Sequence, residues 1–309
     1  MYQKTLKCST TFSGVGVHSG QKITVTLRPA PQGHGIVFKR TDVVGQDPFI
    51  PATWCQVRDT NFCTTLANEA GVSISTVEHL MSVFAALEVA NVLVEVSGAE
   101  VPIMDGSASP LYFLVQAAGI QTQRAPRSYV RIVKPLTYQG DRGGYITLAP
   151  SRSFSIEAIV DLQVRGLPLQ RYKGRNFQTA FGQEIAAART FGFYEDGVKM
   201  KALGLAQGAS LDNTLVFQEG VPMNPEGMRY ENECARHKVL DALGDLYLLG
   251  MPLLASVTSF NGGHFLNYNA LKNLVQNPDH YVIESGASAA TNAPFSGLET
   301  AAVLTPHCG

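Results

Sequence analysis

At 309 residues, 45% of them hydrophobic and 16% charged, the chain can bury one large core or two of ordinary size, which excludes global disorder. Its 24 Lys plus Arg balance 25 Asp plus Glu, so it lacks the basic footprint of phosphate-backbone binding, and nucleic acid is not an expected partner. The five scattered cysteines (Cys8, Cys55, Cys63, Cys234, Cys308) show no zinc-knuckle or redox spacing, and no leader-like or bilayer-length apolar run is present. A cytoplasmic protein without an integral membrane segment is therefore expected.

Ile23, Val25 and Leu27 alternate with polar neighbours ahead of Arg28-Pro29-Ala30-Pro31, predicting an early strand that proline ends. Ser75-Thr76-Val77-Glu78 has the capping-box spacing, and Leu80, Val83, Phe84 and Leu87 follow at helical intervals, so a helix is predicted from about Ser75. Val92–Val96 reads as a short buried strand, Pro102-Ile103-Met104-Asp105-Gly106 as a loop, and Ser109–Ala118 as a second helix. Residues 121–128, polar with one proline, read as a linker.

The second half repeats this order: helix over 233–249, strand over 253–259, loop over 261–263, helix over 270–275. His79 and His237 occupy comparable places in the two series, a pattern that either a duplication or the common alternation of helix and strand produces. The expected architecture is α+β, with an N-terminal domain over 1–125 and a C-terminal domain over 129–284. Residues 285–309, rich in Ala, Ser, Thr, Pro and Asn without periodicity, are expected to form a disordered tail.

His237 and Asp241 are four apart on the predicted helix, so both project from one face and can reach one ion, and Asp245 continues the stripe a turn later. Alone, such a pair is ordinarily a solvated helix face worth about 0.3 kcal/mol. Its meaning changes beside Glu78-His79, an acid next to an imidazole at the start of another helix, and His264 after Gly262-Gly263. Catalytic zinc takes three protein ligands and leaves one position for water, a count that His79, His237 and Asp241 satisfy. Glu78 can then serve as general base or simply close the capping box, and His264 can act as an acid or an oxyanion stabiliser. No His-Glu-x-x-His run exists, so the site must be assembled from distant segments.

Five blocks, Val57-Arg58-Asp59-Thr60, Ile74-Ser75-Thr76-Val77-Glu78-His79-Leu80, Pro102-Ile103-Met104-Asp105-Gly106-Ser107-Ala108, Ala188-Arg189-Thr190-Phe191-Gly192-Phe193 and the run from Arg236 to Leu246, together resemble the signature of the UDP-3-O-acyl-N-acetylglucosamine deacetylases. The Gly14-to-Gly20 and Leu27-to-Ala30 blocks are similar to that family too, so the resemblance covers nearly the whole chain. It implies two similar domains, each a sheet layered on helices, with the active site between them. The implied reaction is metal-dependent hydrolysis of the N-acetyl group of an acylated UDP-amino sugar in lipid A biosynthesis.

The resemblance further assigns Zn2+ to His79, His237 and Asp241, the general base to Glu78, and the acid or cationic role to His264 with Asp245 holding it. Lys238 is implied near the reacting group and Thr190 near the oxyanion, with substrate contacts from Phe62, Cys63, Phe191, Ser210 and Arg142. A segment over about 194–217 is implied to form an apolar passage for the acyl chain, through Val198, Met200, Ala202, Leu203, Leu205 and Ala206. The sequence departs from the family at Asn261, where a basic residue is common, and at Phe265, where a small one is. The implied enzyme is a monomer with at most peripheral membrane contact, and the same ligand set also accepts ferrous iron. Local chemistry alone leaves open a zinc hydrolase of another amide or ester, or a non-catalytic nucleotide-sugar-lipid binding module.

Overall fold

The computed structural model describes residues 1–141 and 143–285. The first half begins with β1 (Tyr2–Leu6), β2 (Thr10–Val15), β3 (Lys22–Pro29), β4 (Ile36–Arg40) and β5 (Phe49–Pro51). Three short strands follow, β6 (Val57–Asp59), β7 (Thr65–Ala67) and β8 (Ser73–Ile74), then α1 (Glu78–Leu87), β9 (Val92–Val96), α2 (Ser109–Ala118) and β10 (Ile120–Pro126). The second half continues with β11 (Ser128–Ile132), β12 (Leu136–Gln139), β13 (Tyr145–Pro150), β14 (Ser155–Val160), β15 (Gln170–Arg175), α3 (Phe177–Ala180) and β16 (Phe191–Phe193). It ends with α4 (Tyr194–Ala202), β17 (Leu215–Gln218), β18 (Val221–Pro222), α5 (Glu233–Tyr247), β19 (Leu253–Phe260), α6 (His264–Gln276) and β20 (Tyr281–Ser285).

The architecture is α+β, as the sequence predicts, and the repeat lies in its topology. One sheet runs β2-β3-β9-β4-β5, with β9 antiparallel to β3 and parallel to β4. The other contains β12-β13-β19-β14-β15 with the same directions, β19 antiparallel to β13 and parallel to β14, and adds β11 and β20 beside the start of β19. In each sheet the parallel pair needs a long crossover, and the element entering its later strand is a helix: α1 before β9, α5 before β19.

Period-two alternation sets the strand faces. In β3 the residues Ile23, Val25 and Leu27 point inward, and in β19 every second residue from Leu253 does. The helix α1 is buried nearly all round, and α5 buries polar as well as apolar residues, because the two pack on each other inside one continuous core fed by both sheets. Their close approach depends on Gly244: a Cβ there would fall on the carbonyl oxygen of Glu78 and crowd the Ser82 amide. That contact fixes the first turn of α1 against the last turn of α5.

Three sequence expectations are corrected. Residues 121–128 are not a linker; β10 pairs antiparallel with β1 as an exposed ribbon held by backbone bonds, which polar side chains do not oppose, and only Arg127 separates it from β11. The capping box does not form. Thr76 adopts a left-handed conformation (φ 58°), the Ser75 hydroxyl donates to Ala99 O, and the helix starts at Glu78 with its carboxylate turned elsewhere. Finally, α6 begins at His264 rather than Ala270, because Gly263 supplies an extended N-cap before Leu266, Ala270, Leu271 and Leu274 bury one face. Ser285, the expected start of the tail, instead ends β20, while the rest of that tail and the substrate contact expected at Arg142 lie outside the described residues.

Candidate metal centre and adjoining cavity

The helix α1 delivers His79 on its first turn, and α5 delivers His237 and Asp241 from one face of successive turns. All three are buried, and one ligand atom from each lies within 4.8 Å of the others. Asp241 Oδ1 is 3.3 Å from His237 Nε2 and 3.7 Å from His79 Nε2, longer than good hydrogen bonds. Those spacings suit the edge of a tetrahedron around an ion with bonds of about 2.0–2.1 Å, an edge of about 3.4 Å.

Hydrogen bonding supports the same reading. His237 Nδ1 lies 3.0 Å from Ala188 O, so this nitrogen carries the proton and Nε2 turns its lone pair inward. Lys238 Nζ donates to Asp241 Oδ2 at 2.9 Å, which leaves Oδ1 buried without a partner. Buried acceptors are rarely left unpaired, so the donor set fits a divalent cation. Burial, then the neighbouring His237, drive the His79 imidazole down to about 3, so it is neutral and able to ligate. Burial alone would raise Asp241, but the neighbouring His237 and the Lys238 and His264 charges outweigh it and hold the carboxyl well below the usual range.

A second cluster flanks the first. Glu78 Oε2 accepts from the Thr64 amide at 3.1 Å, and Oε1 lies 3.9 Å from His264 Nε2. The opposite nitrogen of His264 meets Asp245 Oδ2 at 2.9 Å. Asp245 also accepts from Thr64 Oγ1 at 2.6 Å and from Asn267 Nδ2 at 2.8 Å, so three donors orient this carboxylate. Burial raises the Glu78 carboxyl to about 7, although the His264 charge opposes it. Burial opposes protonation of His264, but the Asp245 and Glu78 charges override it and raise the imidazole to about 9. Near neutrality the pair can thus supply a base and an acid at one point.

Beside these groups opens a cavity of about 480 Å³, ample for a lipid-bearing small molecule. Phe62, Cys63, Glu78, His79, Thr190, Phe191 and Ser210, seven of the sequence-derived residues, line it. His237, Lys238, Asp241, Asp245 and His264 lie outside that lining and reach it through His79, Glu78 and Phe191; Lys238 Nζ sits 5.5 Å from the Phe191 ring. Of the residues expected along an apolar passage, Val198, Met200 and Ala206 line the cavity, whereas Ala202, Leu203 and Leu205 do not, and Leu203 is 78% exposed. Leu211 and Val216 of the same 194–217 segment, with Val17, Ile103 and Met223 from other segments, complete the apolar wall.

Sequence reasoning missed Thr64 and Asn267, which hold Glu78 and Asp245, and Glu100, which accepts from the His18 and Ser19 amides and the Thr76 hydroxyl. Asn267 lies one turn beyond His264, a spacing that could have flagged it; Thr64 and Glu100 carry no comparable signal. Asn261, a departure from the family, is a turn residue with φ 45° whose side chain accepts from the Asp161 amide, and Phe265 lies edge-on to Tyr138.

Residues 3–276 match the family model described as "LpxC: UDP-3-O-acyl N-acetylglycosamine deacetylase". The chain is 42% identical over 287 residues to the UDP-3-O-acyl-N-acetylglucosamine deacetylase of Myxococcus xanthus, covering 91% of this chain and 88% of the relative. It is 41% identical over 304 residues to the enzyme of that name from Acidithiobacillus ferrooxidans, with 96% and 97% covered. Its identity to the one from Shewanella frigidimarina is 40% over 288 residues, with 92% and 93% covered.

Proposed function

The chain belongs to the UDP-3-O-acyl-N-acetylglucosamine deacetylase family, and from that premise we propose that it removes the substrate's acetyl group with one Zn2+ held by His79, His237 and Asp241. The family are metal-dependent amide hydrolases, and their reaction is an early step of lipid A biosynthesis. The observation that carries the zinc assignment is the orphaned, buried Asp241 Oδ1 between two inward-facing imidazole nitrogens. Ferrous iron fits the same two-imidazole, one-carboxylate set.

When bound, the cation supplies a Lewis acid that acidifies water and polarises the acetamide carbonyl. Glu78, its carboxylate steadied by the Thr64 amide, takes the proton of the attacking water. The oxyanion that develops is met by the Thr190 hydroxyl and by His264, kept protonated by Asp245. His264 then gives its proton to the departing amine, and acetate is released. The acyl chain lies along the apolar wall formed by Val198, Met200, Ala206 and Leu211, while Phe62, Cys63, Phe191 and Ser210 contact the rest of the substrate. Lys238 neutralises Asp241 and adds positive charge beside Phe191.

The matching strand orders support two domains meeting at the α1–α5 contact, with the boundary at Arg127. Among the described residues no helix is long and apolar enough to cross a membrane, and the reading is of a monomeric cytoplasmic enzyme with at most peripheral lipid contact. The test is metal analysis coupled to acetate release from the acylated nucleotide sugar, before chelation, after it, and after metal return. About one zinc per chain and activity that follows the metal are expected; full turnover after complete metal removal refutes the proposal.

A further inference from the structure

We propose that Glu233, acting through the Arg189–Thr190 segment, is a positioning residue for this reaction: it fixes which nitrogen of His237 carries the proton and where Thr190 stands. The proposal rests on the reading of His237 as a metal ligand. Glu233 lies one turn before His237 on α5 and is fully buried. Its Oε1 accepts from the Arg189 amide at 3.0 Å and Arg189 Nε at 2.9 Å, and its Oε2 from the Arg229 amide at 2.6 Å and Arg189 Nη2 at 3.2 Å.

Successive turns of one helix therefore grip successive residues of one segment. Glu233 holds the Arg189 N–H, and His237 Nδ1 donates to the Ala188 carbonyl beside it. A carbonyl can only accept, so its fixed position forces the proton onto Nδ1 and leaves Nε2 free to face Asp241 Oδ1. Were the segment to slide, a proton could settle on Nε2 and block the atom that must ligate. The next residue is Thr190, whose amide donates to Gly106 O at 2.7 Å and whose carbonyl accepts from Leu215 N at 2.8 Å, so the same grip sets its place in the cavity wall.

A structural role alone explains less. Buried ion pairs offset their desolvation cost only with excellent geometry and are weak evidence for stability. Here the acid also satisfies two backbone amides, and Arg229 extends the brace to Asp105 at 3.0 Å and Ala187 O at 3.0 Å. Two of these bonds, to the Arg189 amide and the Ala187 carbonyl, fall on the backbone on either side of the acceptor for His237.

The test begins with the intact protein. Nitrogen-15 NMR of histidine-labelled wild-type enzyme, free of metal and loaded with Zn2+, should show neutral His237 protonated at Nδ1 in both states; an Nε2–H form in the metal-free protein overturns the proposal. Two double variants follow, R189M/E233L and R189M/E233Q. Each removes both charges together, so no lone ion is buried, and only the second retains an acceptor for the residue-189 amide. The leucine variant should bind Zn2+ about tenfold to a hundredfold more weakly by equilibrium dialysis and lose kcat with little change in KM, the glutamine variant recovering much of both. Cooperative melting of the leucine variant with wild-type zinc affinity and kcat overturns the proposal, and if that variant fails to fold, the wild-type spectrum and the glutamine variant decide. Wild-type protein that binds no metal would instead sink the metal reading itself.

Discussion

At the scale of single residues, the site turns on two neighbouring groups that burial and charge push in opposite chemical directions. Glu78 is raised to about 7 by burial, and His264 to about 9 by the Asp245 and Glu78 charges against its own burial. In the proposed mechanism the base must be ionised and the acid protonated, so kcat/KM should rise with pH through an acid limb and fall through an alkaline limb near 9. A divalent cation favours the Glu78 carboxylate, which moves the acid limb of the loaded enzyme below about 7. The two limbs belong to the interacting pair, because 3.9 Å separates their nearest atoms. Glu78→Gln should lower kcat by about 10²–10⁴-fold while zinc content stays near one per chain, and the acid limb should disappear. Asp245→Asn should shift the alkaline limb to lower pH, since it removes the charge that holds the proton on His264. A profile in Asp245→Asn superimposable on wild type would refute His264 as the acid.

Among elements, the α1–α5 crossing decides whether there is a site at all. His79 belongs to one helix and His237 with Asp241 to the other, and Gly244 permits the approach because the Glu78 carbonyl occupies the space of a Cβ. Gly244→Ala would ordinarily favour a helix by about 0.8–1 kcal/mol. Here the added methyl must push α1 aside, and backbone atoms cannot yield as a flexible side chain would, so the sign reverses. The variant should lose zinc affinity by at least tenfold by equilibrium dialysis and melt at lower temperature, with a larger loss of activity than of helix content by circular dichroism. Unchanged zinc affinity in a folded Gly244→Ala protein would show that the crossing does not set the ligand spacing. Such a role was illegible in sequence, where a glycine inside a helix reads only as a local weakness. The His237–Asp241 pair was legible because its spacing of four is a property of one helix, whereas the grip of Thr64 on Asp245 spans 181 positions and leaves no local pattern.

For the whole molecule, the duplicated strand order was only half visible: the helix-strand-helix sequence shows in both halves, but the hairpins preceding each central helix do not resemble each other in residues. Sheets constrain direction and burial more than identity, so topology outlasts side chains, and what remains fixed is the pair of helices meeting at the centre. A cation bound there joins α1 of one half to α5 of the other, and so acts as a crosslink as well as a reagent. A ligand that binds only the folded protein adds about 2.7 kcal/mol of stability at a hundredfold excess over its Kd. At about 2–4 °C per kcal/mol for chains of 150–250 residues, chelation should lower the Tm of this longer chain by several degrees, and returned Zn2+ or Fe2+ should restore it. His79→Ala should abolish that metal-dependent increment while leaving a folded protein, because its ring makes no hydrogen bond that the fold relies on. A melting curve insensitive to chelation, measured while the ion is seen to leave, would place the metal elsewhere than at the helix crossing.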